Sequence, residues 1–294
     1  MKVTTARFGL SNEQQSSASA TTQTRLENAN KLLKYSAIFW FSVILAGQWF
    51  FFYYIIKFYG MSVINDNMEI WNRWEPMGNT PHKAGDIAGN MLFFVHVMGA
   101  GIVAFGGALQ LLPKVRAVLP TFHKINGYTF LVTVFFLAIS GFYLSWVRGA
   151  SPNLISEIGT SINGFLILGF AYMTVKTAIS KDIANHRKWA IRLFLVSNAQ
   201  WFLRVGVFSY FITSTAAGVT PAFGDPFFPM WTFGCFLLPL AAAQLYFYGS
   251  QSKRPHVKVI TSFVLVVLTV LMSLGIVGFT PFLLQIMSGE PIAF

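Results

Sequence analysis

Cysteine and acidic residues are scarce in this chain. Its 294 residues include one cysteine and ten acidic residues, against twenty-one lysines and arginines. The lone Cys235 excludes an intrachain disulfide and a cysteine metal cluster, so no metal site is predicted. Every acidic residue lies between apolar segments or near their ends, which argues against a proton pump with an intramembrane carboxylate. Motifs of hydrolases and phosphate-binding loops are absent too, so no enzyme class is predicted.

Charged residues of either sign are also few, and apolar residues predominate. Charged residues make up 11% of the chain, hydrophobic residues 54% and aromatic residues 17%. A hydrocarbon core needs about 20 apolar helical residues. Seven segments meet this length: 35–59, 87–112, 122–147, 158–179, 188–213, 230–249 and 257–288. The sequence therefore predicts an all-α, polytopic transmembrane bundle of about seven helices.

The distribution of basic residues predicts the orientation. With the N-terminus inside, only Lys57, Arg73, Lys83 and Arg148 fall in outer connections, and the other lysines and arginines except Arg204 fall inside. This asymmetry follows the positive-inside rule, and we expect a multi-pass protein of a bacterial inner membrane. The net charge of +11 indicates attraction to an anionic lipid leaflet. It does not indicate nucleic-acid binding, because no basic, aromatic-interleaved soluble segment exists.

The domain organisation is simple. Residues 1–34 are polar and are predicted to form a disordered cytoplasmic tail, and residues 35–294 a single transmembrane domain. Residues 68–74 are predicted to form a short helix in the membrane interface with Trp71 and Trp74 as anchors. The aromatic run 50–54 fits lipid or a second subunit equally well, so both a homo-oligomer and a lipid-facing surface stay open.

Arg204 is the most informative single residue, because it lies within an apolar segment. A guanidinium in hydrocarbon costs roughly 2.5–3.5 kcal/mol on insertion scales, so it should face protein or a water-filled cavity. On one continuous helix Arg204 would share a face with Gln200, Ser197 and His186. We predict a polar, substrate-binding pocket in the outer half of the bundle, formed by His96, Ser140, Asn163, Ser197, Gln200 and Arg204. The alternatives are a guanidinium that reaches the outer headgroups and a His96 that is merely hydrogen-bonded in the core.

Three stretches together resemble the DUF2306 family of predicted bacterial membrane proteins. They are His96 with the small residues up to Gln110, the segment 122–128 (FHKINGY), and the segment 186–192 (HRKWAIR) with Arg204 downstream. Lys124 and Lys188 stand where the family has Arg, and Ala190 stands where it has Met. The resemblance covers roughly residues 86–250. It implies a topology and a set of residues, but no reaction.

The His-Lys-x-x-Gly pattern of residues 123–127 also resembles helix openings of membrane b-type cytochromes and ferric-reductase-like proteins. That resemblance implies paired histidine ligands of a haem. His123 and His186 both begin helices at the inner boundary, whereas His96 lies about 15 Å further out. One haem b held by His123 and His186 is therefore the cofactor hypothesis. The alternative is that both histidines are interfacial groups that contact lipid phosphates.

Two classes of function follow from these residues. The first is a membrane redox or electron-transfer protein with one haem b and an outer site for a quinone-like molecule. The second is a cofactor-free module that binds or transports a small organic molecule. A structural subunit of a membrane complex, whose polar residues pack against a partner, is a further alternative.

Overall fold

The computed structural model describes residues 12–77, 80–222 and 224–290, and all regular structure within them is helical. The predicted all-α class is thereby confirmed. The described residues form ten α-helices: α1 Asn12–Ile55, α2 Met61–Ile64, α3 Ile87–Leu111, α4 Pro113–Val118, α5 Pro120–Trp146, α6 Leu154–Ile179, α7 Ile183–Ser197, α8 Ala199–Ala216, α9 Phe227–Gln251 and α10 Pro255–Ser288. A π-helical turn, Ile56–Gly60, joins α1 to α2, and a 3₁₀ segment, Met68–Met77, precedes α3.

Six helical stretches of the described chain are long and apolar enough to cross a membrane. They are Thr21–Ile64, which includes α1, the π-helical turn and α2, together with α3, α5, α6, α9 and α10. The protein is therefore a multi-pass membrane protein. The seventh predicted span, 188–213, is divided between α7 and α8.

The division of the seventh span at Asn198 corrects the prediction of one continuous polar face from His186 to Arg204. The Asn198 side chain donates to the Phe194 carbonyl at 2.8 Å, and its backbone takes a non-helical ψ of 13°. Asparagine competes for backbone groups in this way and thereby ends helices. The helical count across residue 198 consequently does not apply.

Capping residues set several helix ends. Asp86, Asn153 and Asp182 accept from backbone amides at the starts of α3, α6 and α7. Proline occupies the first turn of α4, α5 and α10, where its missing N–H costs nothing. Gly289, with φ of 79°, ends α10.

The helices alternate in direction, so the bundle has two ends. We call the end with residues 112–119, 180–182 and 252–254 the basic end. The opposite end has residues 65–77, 80–86, 147–153, 217–222 and 224–226. α1 packs against α10 and α3, α10 against α8, and α6 against α5 and α7. The core of this arrangement is rich in aromatic side chains.

Two predictions about the flanking segments need correction. Residues 12–34, expected to be disordered, belong to α1, and residues 1–11 of the predicted tail lie outside the described residues. Trp71 and Trp74 are buried in protein instead of anchoring an interfacial helix. Their indole N–H groups donate to Ser62 Oγ at 2.6 Å and to the Tyr54 hydroxyl at 2.8 Å. The Met68–Met77 segment is thus fastened onto α1 and α2.

Candidate functional site

A cavity of about 590 Å³ lies at the basic end of the bundle. Its walls are mainly apolar and come from α1, α3, α4, α5, α6, α7, α9 and α10. Among its lining residues are both predicted haem ligands, His123 and His186. The cavity therefore brings together the starts of α5 and α7, which are 63 positions apart in sequence by the numbers of these two histidines.

His186 has a defined orientation in this cavity. Its Nδ1 lies 3.0 Å from the backbone carbonyl of Thr174 on α6. A carbonyl only accepts, so Nδ1 carries the proton and Nε2 keeps its lone pair. A backbone carbonyl on one imidazole nitrogen is the arrangement that prepares the other nitrogen as a metal ligand.

His123 is held through its backbone. Gln110 on α3 donates from Nε2 to the His123 carbonyl at 2.8 Å. The imidazole Nδ1 is buried and has no hydrogen-bond partner among the described residues. Such an atom costs free energy unless something else satisfies it. His123 thus has unmet bonding capacity among the described residues.

The glycine of the His-Lys-x-x-Gly pattern has a packing role. A Cβ at Gly127 would lie 3.4 Å from Gln110 Nε2, in ordinary contact with the amide that reaches His123. Asn126 of the same pattern donates to the Gly106 carbonyl at 2.9 Å. Both contacts join α5 to α3 below the cavity, which gives this pattern a physical reason.

The pattern HRKWAIR divides between two surfaces of α7. His186, Arg187, Ala190 and Ile191 line the cavity. Trp189 packs on Phe170 of α6, and Arg192 lies over the Trp189 ring with 4.7 Å to its centroid.

Arg192 also reaches α9, where Gln244 accepts at 2.8 Å and the Phe247 ring lies 5.1 Å away. The second arginine of the pattern therefore joins helices, whereas the first faces the cavity.

The charge around the cavity is positive. Arg116, Lys124 and Arg187 line it, and no acidic side chain does. The nearest cap, Asp182 at the start of α7, has its pKa lowered because the side chain and the backbone amide of Asn185 donate to it. In the described part of the chain no three His, Cys, Asp or Glu side chains come together as a metal site. The cavity is suited to an anionic group on an apolar body.

The residues predicted for the outer pocket lie toward the opposite end, in separate hydrogen bonds. His96 Nδ1 is 2.7 Å from Ser140 Oγ. The Ser140 proton is directed to the Phe136 carbonyl at 2.7 Å, so Nδ1 donates and His96 Nε2 keeps its lone pair. Asn163 donates to the Val196 carbonyl at 3.1 Å, and its buried Oδ1 has no partner among the described residues.

The other three predicted residues bond within their own helices. Ser197 donates to the Leu193 carbonyl at 2.8 Å, and Arg204 Nη1 donates to the Gln200 carbonyl at 2.8 Å. Arg204 also lies 5.7 Å from the centroid of the Trp74 ring. That these six residues share one pocket stays a prediction.

Arg148 was placed at the end of a loop by its charge alone, but the structure buries it. Its guanidinium donates to the Gly89 carbonyl at 2.7 Å and to the Asn90 side chain, and lies 3.3 Å from the Asp86 carboxylate. These contacts bind the end of α5 to the start of α3. Asp86 and Asn90 are polar residues at a helix start and indicate a polar partner, but Arg148 is distant from them in sequence.

Residues 93–223 match the DUF2306 family, which is described as a predicted membrane protein. This match confirms the resemblance to that family and includes both histidine patterns of the cavity. No curated protein and no solved structure matches this chain. The matched range does not include the cavity walls that α1, α9 and α10 provide, such as Trp40 and Tyr246.

Proposed function

We propose that the protein binds one haem b in the cavity at the basic end and carries electrons in the membrane. The observation that supports this proposal most is the pairing of His123 and His186 in one cavity. His186 has its Nδ1–H committed to the Thr174 carbonyl, which leaves Nε2 for a ligand bond. His123 has a buried nitrogen without a partner among the described residues. The two residues fit the role of axial ligands.

The remaining lining residues fit the other parts of a haem. Arg116, Lys124 and Arg187 offer positive charge to its carboxylate groups. Apolar walls that include Trp40, Phe130 and Tyr246 would exclude water, and burial of this kind tunes a redox potential. Bound haem would supply a one-electron couple, and the chain would hold and orient it.

The sidedness and the acceptor of this function are part of the proposal. The excess of lysine and arginine at the basic end supports the proposal that this end faces the cytoplasm in a bacterial inner membrane. A quinone-like acceptor at the opposite end, near His96, is proposed with it. His96 Nε2 makes no hydrogen bond to the described residues and is a candidate acceptor of a proton or hydrogen bond there.

An absorbance spectrum tests the haem proposal directly. Wild-type protein, purified in detergent from cells supplied with haem, should show a Soret band. His123→Ala and His186→Ala should each lose most of it, because a bis-histidine site needs both ligands. His256→Ala is the matched control, since His256 is exposed on α10, and should retain the band. A wild-type preparation with no Soret band would refute the proposal.

A second candidate function uses the same cavity without a cofactor. Three cations and no acid among the lining residues favour an amphipathic anion from the surrounding lipid. This candidate predicts that Lys124→Gln combined with Arg187→Gln reduces the retention of an anionic lipid. It also predicts that His186→Ala leaves retention unchanged and that no preparation contains haem.

Partners beyond lipid belong to the proposal as well. A second copy of the chain or another membrane subunit would cover the lipid-facing aromatic residues of α1, of which Trp49 and Tyr53 are exposed. Crosslinking in membranes followed by purification would detect either one.

A further inference from the structure

We propose a second binding site around Arg204, for a molecule that carries a single oxyanion on an apolar body. This site lies on α8, away from the histidine cavity, and does not depend on the haem proposal. Three observations support it. Arg204 has N–H donors that are not used, it lies beneath a fixed segment, and its neighbours are aromatic.

The guanidinium of Arg204 has donors to spare. Of its five N–H groups, those of Nη1 are directed to Gln200, at 2.8 Å from the carbonyl and 3.5 Å from Oε1. No described residue accepts from Nη2 or Nε, and the one ion pair within 4.0 Å in the described chain joins Arg148 to Asp86. A cation at membrane depth needs an anion or water.

Arg204 and Gln200 belong to an apolar segment and still have accessible surface. Gln200 is exposed and Arg204 is partly exposed, although both belong to the apolar segment 188–213. Polar groups at such depth face a protein-lined space and avoid acyl chains. We infer that the two side chains border such a space.

The Met68–Met77 segment covers Arg204. The Trp74 ring lies 5.7 Å from the guanidinium carbon, and its indole N–H is fixed to the Tyr54 hydroxyl. The side chains of Tyr54 and Tyr59 lie within electrostatic range of Arg204. A phenol hydroxyl can donate to an oxyanion beside the guanidinium fork.

The aromatic residues that follow Arg204 on α8 and pack on α10 indicate the apolar character of this region. Phe208, one turn along α8, packs against Phe279 and Phe282 of α10 with ring centroids 5.3 and 5.1 Å apart. One cation beside aromatic rings matches one negative charge on a hydrophobic molecule. A free fatty acid and the phosphodiester of an anionic phospholipid share this chemistry.

Native mass spectrometry of protein in zwitterionic nanodiscs can test the site. Oleate is added in one series and phosphatidylglycerol in another. We expect Arg204→Gln to weaken binding of the cognate probe by roughly 10- to 100-fold, as loss of a charge-assisted bond does. Arg204→Lys keeps the charge without the fork and should weaken it several-fold. The series that responds identifies the source of the oxyanion.

Two controls make the test decisive. Arg192→Gln removes another guanidinium that is packed on aromatic rings, and should leave binding unchanged. Glu75 follows Trp74 in sequence, and its side chain lies outside the described residues. If Glu75→Gln raised affinity tenfold, the chain itself would supply the counter-charge and the proposal would be overturned. Equal binding by wild type, Arg204→Gln and Arg204→Lys in both series would overturn it as well.

Discussion

Gly275 on α10 offers the sharpest test of how packing positions Arg204. A Cβ at residue 275 would lie 2.0 Å from the Val205 carbonyl oxygen and 2.8 Å from Val205 Cγ1, whereas real Cβ contacts stay above 3.0 Å. The closest atom belongs to the backbone of α8, so no change of rotamer relieves the clash. Gly275→Ala must therefore push α8 away from α10. Overpacking of this kind costs about 1–3 kcal/mol.

The displaced backbone is that of Val205, which follows Arg204 directly. We therefore expect Gly275→Ala to lower the thermal unfolding temperature in detergent and also to weaken binding of the oxyanion probe. Binding at the histidine cavity should change little, because His123 and His186 lie on other helices at the basic end.

Gly169→Ala is the control for this substitution. Gly169 lies on α6 with nothing within 4 Å of its Cβ position, so the added methyl should be neutral or gain up to about 1 kcal/mol of helix propensity. Gly275→Ala and Gly169→Ala could instead show the same unfolding temperature and the same affinity for the oxyanion probe. That result would refute both the close approach of α8 and α10 and the argument that packing sets the Arg204 site.

Three further predictions concern the opposite end of the bundle. Arg148→Gln should lower the unfolding temperature, since a buried charged hydrogen-bond partner is worth about 1–3 kcal/mol. Trp71→Phe should cost about 0.5–1.5 kcal/mol, because the buried Ser62 hydroxyl loses the indole N–H, and Trp71→Leu should cost more. The Ala222 amide and the Tyr210 hydroxyl donate to Asp225 and lower its pKa. The stabilisation of this loop by the ionised Asp225 carboxylate is present above the ordinary aspartate pKa and is lost as pH falls through the lowered pKa. Protease cleavage within residues 217–226 should therefore increase at that low pH. The Asp225→Asn variant should be cleaved readily at every pH.

The fold could be predicted largely from apolar length, because a membrane span leaves few alternatives to a helix. The failure at residue 198 has a local cause. Hydropathy averages over many residues, whereas the end of α7 depends on one asparagine amide that bonds the Phe194 carbonyl. An average cannot detect a single hydrogen bond.

The candidate site could be predicted in part. Both His123 and His186 were predicted to begin helices at the inner membrane boundary and therefore to lie at the same depth. The structure places both in one cavity. Their neighbours Trp40 and Tyr246 belong to the first and ninth helices, whose contacts with α5 and α7 depend on bundle topology. Arg148 was missed for the same reason, since its partners Gly89 and Asn90 are distant in sequence.

The path between the two proposed sites bears on which function is feasible. Along α7 and α8, the cavity residue His186 and the polar pair Gln200 and Arg204 are separated by Leu193–Val196, four consecutive buried apolar residues. Leu193, Phe194 and Leu195 also form part of the cavity wall. A transporter of a polar molecule along these helices would have to move that layer aside, whereas an electron can cross it without a polar path. The arrangement therefore favours two separate binding sites, one at each end, over a continuous passage, and substitution of Val196, the residue of this layer that does not line the cavity, should affect stability more than ligand binding at either end.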